Sequence, residues 1–213
     1  MAPNEPVLAV AGFLAAVVVT LVDGRRAVTW TALAAALGLA PSVASFYGAN
    51  AALVLFAAAA ATTAAGPLSR VLAHRLVWMA GVDPVVPVVA DREALFGPRS
   101  IRVATAVLVL PAASWVSFNV PLGTASTVSG VLFPAALVWG CAGVRLLTAR
   151  TVVDITVGVA ALGLAAAAAW FLCAGADTFR AAVAAAALAP AAAVTAGWLG
   201  GRHATARPLE SSP

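Results

Sequence analysis

Eleven of the chain's twelve arginines fall on one side of seven apolar runs, and lysine is absent. The runs lie at 7–22, 28–46, 50–67, 103–118, 124–144, 152–173 and 181–199, each near the ~20 residues that cross about 30 Å of hydrocarbon. Arg25 and Arg26 follow the first run, and Arg70 and Arg75 the third. Arg92, Arg99 and Arg102 precede the fourth, Arg145 and Arg150 follow the fifth, and Arg202 and Arg207 follow the last. Arg180 alone falls on the other side. Cytoplasmic loops collect Lys and Arg. The pattern predicts an all-α membrane protein, a single bundle of seven transmembrane helices over 1–213. Its N-terminus is expected outside and its C-terminus in the cytoplasm.

Composition excludes the soluble alternative. The chain is 63% hydrophobic and 9% charged, against about 25% charged in soluble domains. A pI near 10.5 would point to nucleic acid in a soluble protein. Here the arginines are spread over short loops, so charge asymmetry across a bilayer explains them and no nucleic-acid partner is predicted. The opening MAPNEP lacks the positive n-region of a signal peptide, so the first run is expected to be retained. Arginine without lysine, beside heavy use of Ala, Gly, Pro and Val, fits a GC-rich genome and hence the plasma membrane of a prokaryote.

Short turns join most runs: Asp23–Arg26, Phe46–Asn50 and Asn119–Gly123 carry the Gly, Asn and Pro that reverse a chain. The long connection is 68–102, and 208–213 is a polar tail expected to be disordered. Leu76–Ala90 is apolar but short, and Asp83, Pro84 and Pro87 interrupt it. Counted as an eighth span, it would put five arginines inside and seven outside, so it is read as interfacial or re-entrant, with Trp78 at headgroup level. The last run and the stretch Ala165–Ala169 are dominated by alanine. Alanine gains little from lipid but permits close helix approach, so both runs are expected to be buried by this chain or by partner subunits. Pro41, Pro111, Pro134 and Pro190 fall within runs, as tolerated kinks or as hinges.

Ionisable residues inside membranes flag function, and few occur here. Asp154 stands four residues after Arg150 at the start of run six, which suits a helix-end ion pair or else an ion or proton path. Asp177 and Arg180 can pair similarly, and Arg145 is expected to snorkel to the inner surface. His74 and His203 lie in a loop and a tail. Cys141 and Cys173, near opposite faces, are more than about 20 Å apart by helical rise, too far for a disulfide. No metal, haem or other cofactor site is predicted, and no catalytic residue. Without lysine there is no retinal-type Schiff base. Ser45, Ser114, Ser117, Thr124, Ser126, Thr127 and Ser129 are expected to bond between helices.

Gly66-Pro67 ahead of His74-Arg75, the linker Glu93–Pro98, and Val120-Pro121-Leu122 followed by Arg150 and Gly158 give a layout that resembles the hydrogenase-4 component E family. The resemblance implies a seven-span subunit of a membrane arm related to respiratory complex I. That family carries a membrane lysine near the end of span three and a Glu-Asn-Gly turn in span six. The matching positions lie near Thr62 and Gly163, neither ionisable, which implies a structural member without a proton relay. The expected function is therefore a non-catalytic integral membrane subunit of a larger complex. The alternative is a small-solute or ion transporter or channel.

Overall fold

The computed structural model describes residues 5–23, 26–80, 99–119, 130–149, 151–172 and 178–204. Those residues form seven α-helices and no strand. They are α1 (Glu5–Leu21), α2 (Ala27–Tyr47), α3 (Ala49–Ala80), α4 (Arg99–Asn119), α5 (Phe133–Leu147), α6 (Val152–Leu172) and α7 (Thr178–Ala204). Five of them, α2, α3, α4, α6 and α7, hold apolar stretches long enough to cross a membrane, while α1 and α5 are shorter apolar helices. Alanine and leucine, strong helix formers, dominate these segments, and the breaks fall where such residues run out. Between α2 and α3 the chain turns at Gly48, whose φ of 94° is costly for any residue with a Cβ.

Six helices close a ring. Going round it, α1, α2, α3, α7, α6 and α5 each pack on the next, and α5 returns to α1. Across the ring α2 touches α6. Helix α4 stands outside, seated mainly on α5 with a smaller contact to α1. The core is built largely of alanine, with Leu39, Leu55, Leu137, Leu164, Val19, Val43 and Phe171 filling the wider gaps. Small residues let axes approach closely. At Gly163 of α6 a Cβ would stand 2.8 Å from the Ala185 carbonyl and 3.0 Å from the Leu188 Cβ, so only glycine lets α7 sit where it does.

Helix α7 runs five residues past its expected end, to Ala204, and two further runs differ more instructively. Helix α3 does not stop at Pro67 but continues to Ala80, into what reads as the start of the long loop. Proline removes one N–H from a helix without ending it when the flanking turns hold, and here Ser69 Oγ donates to the Gly66 carbonyl at 3.0 Å. Residues 81–98, including Asp83, Pro84 and Pro87, lie outside the described residues. Helix α5 begins at Phe133 after a turn at Gly130 (φ 100°). Pro134 therefore occupies a helix start, where its missing N–H is harmless, rather than a helix interior.

Tryptophans mark the ends of the bundle. Trp30, Trp115, Trp170 and Trp198 are all substantially exposed and lie within the terminal turns of their apolar stretches, as in the aromatic belts of membrane proteins. Trp139 is the exception: it is 54% exposed in the middle of α5. At the end opposite Arg102 and Arg145, Tyr47, Phe171 and Phe179 stack α2, α6 and α7 together, with ring centroids 5.4 and 5.9 Å apart.

Candidate functional site: a buried arginine–aspartate cluster

Every α-helix ends with carbonyls that lack a partner in the helix. In α1, the Val19 and Val22 carbonyls find one in α5: Arg145 Nη1 donates to both, at 2.6 and 2.7 Å. A cation at a helix C-terminus also faces the negative end of the helix dipole. The second nitrogen, Nη2, donates to Asp23 Oδ1 at 3.1 Å and to Asp154 Oδ1 at 3.0 Å. From α4, Arg102 Nη1 reaches the same Asp23 oxygen at 3.1 Å and lies 3.8 Å from Asp154 Oδ1. Two arginines and two aspartates thus tie together the ends of α1, α4, α5 and α6.

Asp154 is held from its own helix as well. Thr151 precedes α6, and its hydroxyl accepts from the Asp154 N–H at 3.1 Å and donates to Asp154 Oδ2 at 3.0 Å. The Thr151 N–H also donates to that oxygen at 3.3 Å. This is a capping box, in which the first and fourth residues satisfy each other's backbone donors. One carboxylate oxygen caps the helix and the other faces the arginines, so the fold of α6's first turn aims the charge.

The cluster is largely buried. Side-chain exposure is 0% for Arg145, 10% for Arg102, 11% for Asp154 and 27% for Asp23. Taking such charges out of water costs several kcal/mol per ion, and only good geometry offsets it. Removing one partner then leaves a buried charge unmatched. The Nε atoms of both arginines have no hydrogen-bond partner among the described residues. Both carboxylates already engage guanidinium groups, and among the described residues no group of three His, Cys, Asp or Glu could hold a metal. What this arrangement does chemically is clamp four helices by charge.

Of the residues singled out from sequence, Asp154 sits at the centre of this cluster, paired with Arg145 and Arg102. Arg150 lies outside the described residues, as do Asp177, Cys173 and 124–129. Arg145 does not snorkel. Its guanidinium turns into the bundle, where two carbonyls and two carboxylates outbid the headgroup region. Cys141 is a buried free thiol, and Arg180 is exposed. Ser45 and Ser117 donate to Ser42 and Ser114 carbonyls within their own helices rather than between helices. Thr62 is buried and donates to the Ala58 carbonyl at 2.6 Å. Gly163 is pressed against α7, so Thr62 and Gly163 both sit at packed positions.

Sequence alone does not point to Asp23 or Arg102. Asp23 reads as a turn residue and Arg102 as one more loop arginine. The signal that points to the site is Thr151-Val152-Val153-Asp154, a Thr-x-x-Asp box opening an apolar run. No family model, no curated protein and no solved structure matches the chain.

Proposed function

We propose that this chain is a non-catalytic, multi-pass subunit of a larger membrane assembly, of the complex I-like or hydrogenase-4-like kind. It would lie in the plasma membrane of a prokaryote with seven spans, its N-terminus outside and the arginine–aspartate cluster at the cytoplasmic end. The observation that carries the subunit reading is the exposed alanine on α3 and α7, which stands among exposed Leu53, Leu68, Val183 and Leu188. Ala57, Ala60, Ala61 and Ala64 of α3, and Ala184, Ala187 and Ala191 of α7, are all exposed, although α3 and α7 pack on each other. Several stand four apart, the spacing that lets a second helix approach closely. Lipid rewards such a surface little. A partner helix rewards it by dispersion contacts.

Native-gel migration and in-membrane cross-linking from a cysteine at Ala61 or Ala187 test this. A discrete cross-linked product larger than the monomer is expected. A chain that runs alone and yields no product from either position would sink the reading. Topology is checked separately: a cysteine at Asn119 should label from outside, and a reporter fused after Pro208 should report cytoplasm. A second reading, a small-solute or ion transporter, draws on one observation: α4 carries Pro111, lies outside the ring and is pinned at one end by Arg102.

A further inference from the structure

Arg102 and Arg145 meet the same carboxylates but hold their helices differently. Arg145 is fully buried. It donates to the Val19 and Val22 carbonyls, to Asp23 and to Asp154, so α1, α5 and α6 are joined without help from α4. Counting only Asp23, Asp154 and Arg145, one negative charge is in excess. A buried charge without a match is costly. Arg102 supplies the match from α4, 3.1 Å from Asp23 and 3.8 Å from Asp154. It does so at the open rim of the cluster, since the Asp23 side chain is 27% exposed and that of Asp154 11%.

Apolar contact holds α4 lightly. Only 17% of its apolar stretch is buried, against 67% for α6. A gap of about 210 Å³ lies between its Arg102 half and α1, lined on the α4 side by Val103, Ala106, Val107 and Leu110. A second gap, about 620 Å³, lies between Val109–Val116 and α6. Between the two gaps α4 rests on α5, where Val109 fills a notch left by Gly140: a Cβ at Gly140 would collide with Val109 Cγ1. Pro111, two residues on, removes an N–H from the helix at the same level. The segment Arg102–Leu110 therefore has room to tilt about this seam without unpacking the ring. We propose that α4 is a latched helix, its arm Arg102–Leu110 held against α1 by the Arg102–Asp23 pair. When that pair opens, the arm swings away on the α5 seam. Arg145 is the fixed tie among α1, α5 and α6, and Arg102 is the catch.

The test is double electron–electron resonance on the full chain in lipid nanodiscs, with Cys141 and Cys173 replaced by alanine. One nitroxide pair joins Val103 of α4 to Leu72 of α3, and a control pair joins Leu147 of α5 to the same Leu72, all three being exposed positions. Both distance distributions should be narrow in the otherwise unchanged chain. Arg102→Gln and Asp23→Asn should each shift the Val103 distribution to longer, broader distances and leave that of Leu147 unchanged. A Val103 distribution that neither folded variant moves overturns the latch, since packing on α5 would then hold α4. A shift in only one of two folded variants overturns the Arg102–Asp23 pair as the catch. Leu147 spreading together with Val103 also overturns the latch, because the two arginines would then form one inseparable clamp. Circular dichroism identifies a variant that does not fold, and the other then decides. If neither folds, the clamp is again inseparable and the latch falls. All measurements are made on the single chain, so their failure leaves the subunit reading untouched.

Discussion

Helices α6 and α7 draw on nearly the same residues, alanine above all, yet two thirds of the apolar stretch of α6 is buried (67%) against 28% for α7. Neighbours make the difference. Helix α6 lies between α5, α7 and α2 and has its first turn clamped by Arg145 and Arg102. Among the described residues, helix α7 packs mainly on α3 and α6, with Ala182, Ala186, Ala189 and Ala193 as its buried stripe. Small side chains therefore announce close packing without saying on how many sides, or against which molecule. In α6 the partners are within the chain. In α7 half of the surface is left for something else.

The comparison breaks most visibly at the clamp. Arg145→Ala strands Asp154 and two helix-end carbonyls in a buried setting, and should destabilise the bundle by about 3–5 kcal/mol. Asp154→Asn keeps the cap of α6 and should lose less, about 1–3 kcal/mol. An exposed ion pair with Arg150 alone would be worth only ~0.3–0.5 kcal/mol. Denaturant unfolding in detergent micelles separates these cases, and an Asp154→Asn midpoint equal to wild type would show that the clamp does not hold α6.

Next comes the seam between the two helices. Gly163→Leu drives a side chain into the α7 backbone and should cost about 1–3 kcal/mol by overpacking. The readout is a lowered melting temperature together with reduced cross-linking between cysteines placed on α6 and α7. Thr151→Ala removes the hydroxyl half of the cap, worth about 1 kcal/mol, which the same unfolding assay resolves. An unchanged midpoint would mean that the arginines alone orient Asp154.

The smallest effect on the isolated chain should come from the exposed face of α7. Ala187→Leu or Ala191→Leu should alter monomer stability by no more than about 0.5 kcal/mol, while abolishing the larger species on native gels. If both variants migrate as wild type does, the free face of α7 is a lipid face and the contrast with α6 loses its functional meaning.

Much of this architecture was legible because hydrophobic run length is a strong signal. Helices α1, α2, α4 and α6 start and stop within a few residues of the runs read from sequence. The overshoot of α3 past Pro67 was not legible, since a proline inside an apolar run is read alike whether it ends a helix or is carried by one. One residue of the site, Asp154, was visible. Asp23 and Arg102 were not, because they lie 79 residues apart in sequence, while Arg145 stands only nine residues before Asp154. A local spacing rule favoured Arg150 as the partner for Asp154. Arginine's long side chain made Arg145 look free to reach water, when the unpaired carbonyls of α1 lay closer.

Those carbonyls set a timetable for biogenesis. Val19 waits for a donor 126 residues downstream, whereas Asp23 meets Arg102, 79 residues downstream, before Arg145 follows. Until α5 is made, the last turn of α1 is unfinished. It can be completed only after α5 has been synthesised, and the cluster only after Asp154 has followed. The first helix must therefore stay close to the growing chain through most of translation, until the charges of α4, α5 and α6 reach it.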